Sequence, residues 1–153
     1  MSIVDYMKPE WITLNLKSKS RHEVFQEMAS ALGRTGLLND ETIGDLVKKL
    51  EERESLSTTG VGEGIAIPHA SLKGLKETVI GIGVIPDGVD FSSLDSQPVK
   101  VVFMIVGSQS VPRLHIQILA RLVRLCRNKD LKEKIMEGTV PEKVLEAIRM
   151  VDI

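Results

Sequence analysis

Cysteine and aromatic residues are the residues that this sequence has least of. Its 153 residues include one cysteine, Cys126, one tryptophan, one tyrosine and three phenylalanines. A single cysteine excludes an internal disulfide and a cysteine-based zinc cluster, and we expect Cys126 to be a small buried residue rather than a catalytic thiol. The scarcity of aromatic rings argues against a base-stacking surface for single-stranded nucleic acid. The core must therefore consist mainly of aliphatic side chains.

An excess of charge of one sign is also lacking. There are 20 Lys and Arg residues and 21 Asp and Glu residues, so the formal net charge is −1. This is not the basic excess that holds nucleic acid. The first residues do not have the pattern of a signal peptide, and no apolar run approaches the ~18 residues that predict a membrane span. We therefore expect a cytoplasmic protein that neither binds nucleic acid nor inserts into a membrane.

The spacing of the apolar residues that are present predicts helices and strands in one domain over residues 1–153. A domain of this length folds without a metal or a disulfide. Because helices precede, separate and follow the strands, we predict an α/β domain of three layers, a mixed β-sheet flanked by helices. The run at 99–106 does not alternate, so both faces of that strand should be covered. Predicted strands cover 11–16, 78–85 and 99–106, with a turn at 86–88, and predicted helices have first turns at Ser20, Asn39, Pro112, Asp130 and Thr139.

A glycine-rich stretch at residues 58–69 ends in Pro68 and His69. Glycine is poor inside helices, and proline disfavours helical geometry at the residue before it, so we predict a loop that enters a short strand. Glycines let backbone N–H groups approach a phosphate closely. Taken alone, such a stretch is more often only a turn. If it does cradle a phosphate, the residues concerned are Thr58, Thr59, Gly60, Gly62 and Gly64.

Of the three histidines, His69 and His115 form a candidate site together with Arg53. Neutral imidazole is a competent nucleophile towards phosphorus, and a second imidazole or a guanidinium can donate to the phosphoryl oxygens as charge develops on them. His22 lies in a charged helix and is interpreted as a solvated surface residue. Neither a metal-ligand spacing nor a carboxylate pair accompanies the set, so phosphoryl carriage without metal or cofactor fits better than metal-dependent hydrolysis.

These residues resemble a known signature. Arg53-Glu54 followed by the 57–69 segment, Ser-Thr-Thr-Gly-Val-Gly-Glu-Gly-Ile-Ala-Ile-Pro-His, resembles the fructose/mannitol-type EIIA domain of the bacterial phosphotransferase system. The resemblance continues through residues 91–99 and 115–120 and covers essentially the whole chain. Within the family the chain is similar to the stand-alone nitrogen-regulatory branch. The fold that this resemblance implies, a mixed sheet between helices, agrees with the layered prediction.

The resemblance implies a phosphotransferase that works through a phosphohistidine. His69 would receive the phosphoryl group from HPr or a paralogue, His115 would stabilise the phosphoryl group or its acceptor nitrogen, and Arg53 would lie at the rim of the site. The phosphoryl group would then serve a regulatory target protein. Two alternatives stay open: a sugar-specific EIIA that passes the group to an EIIB domain, and a protein-binding module that requires no phosphotransfer.

Several charged residues near these motifs have no single predicted role. We expect Glu63 to point outward, since an inward carboxylate would repel a phosphoryl group. Glu54 either orients an imidazole or caps a helix end, and Arg113 either adds positive charge beside the phosphate or faces solvent. The other basic residues of that helix are interpreted as its solvated face: Arg121, Arg124 and Arg127.

Overall fold

The computed structural model describes residues 2–152 and contains, within them, a six-stranded mixed sheet and five α-helices, which confirms the α/β prediction. The strands are β1 (Ile12–Thr13), β2 (Gly60–Gly62), β3 (Ile65–Ala66), β4 (His69–Leu72), β5 (Val79–Val89) and β6 (Val99–Ser108). The helices are α1 (Arg21–Arg34), α2 (Asp40–Leu56), α3 (Pro112–Leu125), α4 (Leu131–Glu137) and α5 (Pro141–Val151), preceded by short 3₁₀ turns at Ile3–Tyr6 and Pro9–Trp11.

Local sequence signals account for the starts of the first three helices. The Ser20 side chain accepts a hydrogen bond from the Glu23 N–H, and Asn39 accepts one from Thr42 in the same way, so both predicted N-caps are confirmed. Pro112 is the first residue of α3, as predicted. A cap of this kind satisfies backbone N–H groups that have no partner within the helix.

Asp130 lies at the N-cap position of α4, as predicted, but its side chain does not cap the helix, and the N-cap predicted at Thr139 for α5 is wrong. Asp130 has helical backbone angles and makes no side-chain bond to α4. The α5 helix begins at Pro141 rather than after Thr139. Proline fits the first position of a helix because its fixed φ is helical and its missing N–H would have had no partner there. Thr139 is therefore one residue too early to cap α5.

The central strands are covered on both faces, as the unbroken apolar run at 99–106 predicts. Along β6, Val101 and Phe103 pack into a cluster with α3, α4 and α5, whereas Val102 and Met104 pack into a second cluster with α1 and α2. Side chains of a strand point alternately to the two faces of its sheet. The sheet therefore lies between two helical layers, which gives the predicted three-layer order.

Two predicted strand boundaries differ from the structure. The strand expected at 11–16 is only Ile12–Thr13, because Trp11 belongs to a 3₁₀ turn and Asn15 adopts a positive φ of 60°. The turn expected at 86–88 is instead part of β5, whose pairing with β6 shifts register between Val84 and Val89. From Val84 to Val89 the chain advances five residues while the partner strand advances two, from Val99 to Val101, so this irregularity takes up three extra residues while the strand continues.

The pairing of the strands brings distant parts of the chain to one place. β6 pairs in parallel with both β3 and β4, and His69 lies opposite Ile105 in that register. The chain then leaves β6 through a short turn and enters α3, which carries His115. On the other side, α2 packs against β4. Three elements therefore meet near the position of His69.

Candidate active site

Arg53, His69 and His115 come from α2, β4 and α3, and the fold brings them together. They line one open cavity of about 450 Å³ on the surface of the protein. The two imidazole rings lie with their centroids 5.5 Å apart and their planes tilted by 59°. The remaining residues that line this cavity are Lys49, Glu52, Leu56, Ala70 and Ser71.

Both ring nitrogens of His69 have a hydrogen-bond partner. Nδ1 lies 3.0 Å from the carbonyl oxygen of Ile67, and Nε2 lies 3.3 Å from the Arg53 Nε. A carbonyl oxygen can only accept and the guanidinium N–H can only donate. Nδ1 therefore carries the proton of the neutral ring, and the lone pair lies on Nε2. Nε2 is therefore the ring nitrogen of His69 that can act as a nucleophile.

The guanidinium of Arg53 has a second bond that fixes its position. Its Nη1 donates to the carbonyl oxygen of Ser57, the residue that follows α2, at 2.9 Å. That carbonyl is among those at a helix C-terminus that have no partner inside the helix. Arg53 thus caps its own helix with one nitrogen and donates to the Nε2 atom of His69 with another.

His69 is kept neutral near pH 7 by its surroundings. Burial lowers the pKa of His69 below its ordinary value, and the neighbouring Arg53 charge lowers this pKa further. The hydrogen bond to Ile67 and the negative charge of Glu54 act in the opposite direction but do not reverse the shift. Desolvation disfavours the charged form of an imidazole. The nucleophilic form is therefore the dominant one at neutral pH.

His115 is held by close packing rather than by hydrogen bonds. Its Nδ1 is buried, and no group in residues 2–152 lies within hydrogen-bonding distance of it. Gly107, in β6, lies directly against this nitrogen, so that a Cβ atom at position 107 would overlap it. Burial lowers the pKa of His115, and the positive charge that His69 can carry lowers it further. His115 is therefore a neutral ring with a fixed position.

The structure does not bring the threonines of the glycine-rich loop to this cavity. Thr58 donates its hydroxyl to the Phe91 carbonyl. Thr59 is buried, and Glu54 accepts its N–H at 2.7 Å and its hydroxyl at 2.6 Å. These donors stabilise the loop itself, because buried polar groups need partners. This also gives Glu54 a role, which is to join α2 to the loop.

The three glycines of the loop also lie away from the cavity. Gly60 packs against Ser93, with no room for a Cβ atom, and Gly62 and Gly64 have positive φ of 96° and 78°. Together with Glu63, which is exposed as expected, Gly62 and Gly64 form the turn between β2 and β3. The packing at Gly60 and the backbone angles at Gly62 and Gly64 thus require glycine, which agrees with the alternative interpretation of this stretch as a turn.

Lys49 is a residue of the cavity that the sequence patterns did not identify. Its Nζ donates to the carbonyl oxygen of Ser71 at 3.1 Å, which links α2 to the strand that carries His69. Residues four apart lie on the same face of a helix, so the spacing from Lys49 to Arg53 is the signal that could have identified it. The cavity therefore has two cationic side chains beside His69.

Other chemistry-bearing residues do not form a second site. Cys126 is buried, and burial raises the pKa of its thiol to about 12, as expected for a residue without thiolate chemistry. His22 is exposed and lies 3.2 Å from Glu51. Within residues 2–152, no three His, Cys, Asp or Glu side chains are grouped so that they could bind a metal ion.

A neutral histidine with a guanidinium on its unprotonated nitrogen and a second, partly buried histidine form an arrangement that can support phosphoryl transfer on an α/β domain. Residues 5–150 match the family described as phosphoenolpyruvate-dependent sugar phosphotransferase system, EIIA 2, and the chain belongs to this family. Proteins of this family transfer phosphoryl groups. The resemblance noted in the sequence is thus confirmed.

Relatives of both functional branches are similar to this chain. A nitrogen regulatory protein of Bradyrhizobium diazoefficiens is 36% identical over 136 residues, which are 88% of this chain and 86% of that protein. The fructose-specific EIIABC component of Bacillus subtilis is 35% identical over 152 residues, which are 99% of this chain but 24% of that protein. The crystal structure of IIA-Ntr from Neisseria meningitidis superposes with a TM-score of 0.86 at 26% identity, covering 95% of this chain and 98% of that one.

No helix within residues 2–152 has the length and apolar character needed to cross a membrane.

Proposed function

We propose that His69 is the phosphoryl acceptor of this EIIA domain and that the phosphoryl group is carried on Nε2. The observation that supports this is the pair of hydrogen bonds on the His69 ring, which leaves the lone pair on Nε2 and points it towards Arg53. The lowered pKa of His69 adds to the argument, because only the neutral ring is a nucleophile.

The transfer step follows from these contacts. The Nε2 lone pair forms a bond to phosphorus while the nitrogen–phosphorus bond of the donor phosphohistidine breaks, and its electron pair returns to the donor nitrogen. The proton on Nδ1 stays in place, and the Ile67 carbonyl stabilises the positive charge that develops on the ring. The phosphoryl group passes through a loose transition state, so positioning and electrostatics supply most of the catalysis.

Arg53 has two successive roles in this proposal. Before transfer its Nε–H occupies the Nε2 lone pair of His69, so this weak 3.3 Å bond must break when the phosphorus arrives. The guanidinium can then donate to the phosphoryl oxygens, for which its planar fork is well suited. His115, whose ring lies 5.5 Å from that of His69, stabilises the same group from the other side.

A nitrogen-regulatory role is the branch that we favour, with an HPr-like phosphocarrier protein as the donor in the cytoplasm and a regulatory target downstream. The likeness to regulatory proteins supports this branch: the structure superposes on IIA-Ntr of Neisseria meningitidis with a TM-score of 0.86 and on IIA mannitol of Escherichia coli with a TM-score of 0.75. Phosphorylation would change the charge of the cavity, and with it any surface that docks there.

A sugar-specific role is the second candidate, because the fructose-specific EIIABC component is 35% identical over almost the whole chain. In that case the phosphoryl group on His69 passes to an EIIB domain. Incubating the phosphorylated protein with the EIIB domains of the same genome separates the two branches. Rapid loss of the label to one of them would favour sugar transport.

Labelling with a small donor and with a protein donor tests the proposal itself. Phosphoramidate and the phosphorylated phosphocarrier should both give an acid-labile, alkali-stable label, and ¹⁵N–³¹P coupling should place it on Nε2. The His69→Ala variant should take up none, and His115→Ala should be labelled more slowly. A label that persists in His69→Ala would refute the proposal. A His69→Ala variant that keeps every partner interaction and cellular effect would favour a module that works without phosphotransfer.

A further inference from the structure

Lys49 lies in the candidate active site, but the transfer step uses Arg53 and His115 and gives Lys49 no role. Its side chain lines the same cavity as His69 and is half-buried. A single hydrogen bond holds it, from Nζ to the carbonyl oxygen of Ser71 at 3.1 Å. An ammonium group has three N–H donors, so two of them are left without a partner among residues 2–152. Lys49 is therefore a cation of the cavity with unused donors.

The two cations of the cavity follow the spacing of the strand that carries His69. Arg53 contacts His69, and Lys49, one turn earlier in α2, contacts the backbone of Ser71, two residues further along β4. Four residues of helix and two residues of strand advance by nearly the same distance, about 6 Å and about 6.6 Å. Because α2 runs antiparallel to β4 at this point, the Lys49 ammonium lies next to the Arg53 guanidinium along the cavity.

The carbonyl that holds Lys49 has a second donor nearby. The carbonyls of a strand alternate between its two edges. The Leu72 carbonyl accepts the N–H of Gln109, so the Ser71 carbonyl faces the opposite edge of β4, towards α2. The side-chain Nε2 of Gln109 lies 3.5 Å from the Ser71 carbonyl, a weak hydrogen bond that is free to shorten. Lys49 can therefore leave this carbonyl without stranding it.

A phosphoryl group on His69 has more acceptors than Arg53 alone can satisfy. In the transition state the negative charge is spread over three oxygens. Arg53 keeps its Nη1 on the Ser57 carbonyl, so its Nε and Nη2 can bind at most two of these oxygens as a fork. Glu52, which is exposed and also lines the cavity, adds a negative charge of its own. A second cation beside Arg53 would offset this charge and donate to a remaining oxygen.

We propose that Lys49 is a phosphoryl-binding residue, whose Nζ leaves the Ser71 carbonyl and donates to a phosphoryl oxygen when His69 is phosphorylated. This inference rests on the proposed function, since it assumes that His69 carries the group. The flexible stem of a lysine lets the ammonium move while its helix stays in place. Lys49 thus acts as a mobile point charge beside the planar fork of Arg53, and it adds no covalent step to the transfer.

Two substitutions of Lys49 and one of its neighbour test the proposal. Lys49→Gln removes the charge but keeps a side-chain N–H donor, whereas Lys49→Arg keeps the charge. Lys48→Gln is the matched control, because Lys48 is exposed and lines the groove between α1 and α2 instead of the cavity. The measured quantity is the second-order rate constant for labelling of His69 by phosphoramidate, which needs no protein partner.

We expect Lys49→Gln to lower this rate constant about tenfold, since the donor is charged and aimed at oxygens that gain charge in the transition state. Lys49→Arg should regain most of the rate, and Lys48→Gln should stay within about twofold of the wild type. A wild-type rate in Lys49→Gln would overturn the inference. A rate in Lys49→Arg as low as in Lys49→Gln would show that the charge is not what Lys49 contributes, and would overturn it as well.

NMR of the lysine ammonium groups separates phosphoryl binding from a purely structural role. The ¹⁵Nζ signal of Lys49 is assigned by its loss in Lys49→Gln, and that of Lys48 serves as an internal reference. On phosphorylation of His69, the Lys49 signal should shift and show scalar coupling to ³¹P across the N–H···O bond. A signal that neither shifts nor couples would restrict Lys49 to holding α2 against β4, and would overturn the inference even if the labelling rate had fallen.

The same measurements distinguish a failure of this inference from a failure of the proposed function. If neither phosphoramidate nor the phosphorylated phosphocarrier labels His69 in the wild type, the proposed function fails. If His69 is labelled equally fast in the wild type and in Lys49→Gln, only the inference fails.

Discussion

At the scale of single residues, the role proposed for His69 depends on a cation placed on its Nε2 atom. Arg53 donates to Nε2 and lowers the pKa of His69, so the same side chain competes for the lone pair and keeps it unprotonated. The Arg53 hydrogen bond competes only weakly for the lone pair, because its two nitrogens are 3.3 Å apart. The effect of the Arg53 charge on the pKa of His69 persists in any geometry that keeps the two groups close.

Replacing Arg53 by Gln should therefore move the pH dependence of phosphorylation. In the wild type, labelling by phosphoramidate should be independent of pH above the lowered pKa of His69 and should fall as the pH falls through it. Without the Arg53 charge the pKa of His69 rises, so the decline should begin at a higher pH. An NMR titration of the His69 Cε1–H measures this pKa directly. Arg34→Gln serves as the control, and an unchanged or lowered His69 pKa in Arg53→Gln would contradict the assignment.

Gly107 is the residue that sets the position of the second histidine. An alanine Cβ at this position would overlap the Nδ1 of His115, and the ring has no hydrogen bond on that nitrogen to hold it in place. We expect Gly107→Ala to displace the ring and to slow phosphoryl transfer to His69 by at least about tenfold, since small displacements in an active site cost this much.

A second sheet glycine provides the control for Gly107→Ala. Gly81, in β5, is also buried, but a Cβ there would meet its nearest atoms at 3.5 and 3.8 Å, which is ordinary contact. Gly81→Ala should therefore keep the wild-type transfer rate. The NMR shifts of the His115 ring report its environment independently of the rate. Unaltered shifts together with a normal rate in Gly107→Ala would show that the ring is held in some other way.

Sequence patterns predicted the three side chains that the fold brings to one cavity, but not the residues that contact them or lie beside them. His69, His115 and Arg53 were predicted because imidazole and guanidinium groups have known chemistry near phosphorus. Gly107 and Lys49 were not, since their roles come from pairs of residues far apart in the chain, such as Gly107 with His115 and Lys49 with Ser71. The glycine-rich loop is the converse case: its pattern is compatible with phosphate binding, but its residues do not line the cavity, and its glycines form a turn.

At the scale of elements, a buried carboxylate joins α2 to the loop that follows it. Glu54 is 4% exposed and accepts both the N–H and the hydroxyl of Thr59. The same carboxylate raises the pKa of His69. Glu54 therefore joins α2, which carries Arg53, to the loop and also acts on the pKa of His69.

The variant Glu54→Gln should change stability and titration together. A glutamine amide can accept only one of the two hydrogen bonds, so we expect the free energy of unfolding to fall by about 1–3 kcal/mol. Loss of the negative charge should lower the pKa of His69 further. Urea unfolding and NMR titration measure the two effects. Glu27→Gln, at an exposed position of α1, should change neither, and a raised His69 pKa in Glu54→Gln would contradict the electrostatic role.

Long elements were predictable from the sequence and short ones were not. The strands around 78–85 and 99–106 were recognised because burial on both faces leaves an unbroken apolar run. The strands β2 and β3 have three and two residues, too few for any periodicity, and they exist because β3 pairs with β6. The bulge that replaces the predicted turn at 86–88 likewise depends on the partner strand.

At the scale of the whole molecule, one carboxylate connects the beginning and the end of the described chain. Asp152 accepts the Ile3 N–H at 2.6 Å and the Ser2 hydroxyl at 3.2 Å, and its other oxygen pairs with Arg121 of α3 at 2.7 Å. Its side chain is completely inaccessible to solvent. The N-terminal 3₁₀ turn, α3 and the residue that follows α5 are therefore held together by a single side chain, and Arg121 is a paired residue rather than the solvated one that the sequence predicts.

Removing this carboxylate should destabilise the fold without altering the chemistry. In Asp152→Ala the Ile3 N–H and the Arg121 guanidinium lose their shared acceptor, so the free energy of unfolding should fall by about 2–4 kcal/mol. Urea unfolding measures it, and Asp45→Ala, at an exposed position of α2, should change it by less than about 0.5 kcal/mol. Well below the unfolding transition, phosphoramidate should label His69 at the wild-type rate, because His115 is positioned by Gly107 and not by the chain ends. A loss of stability under about 0.5 kcal/mol in Asp152→Ala, or a slowed labelling rate in the folded variant, would contradict this separation of fold from site.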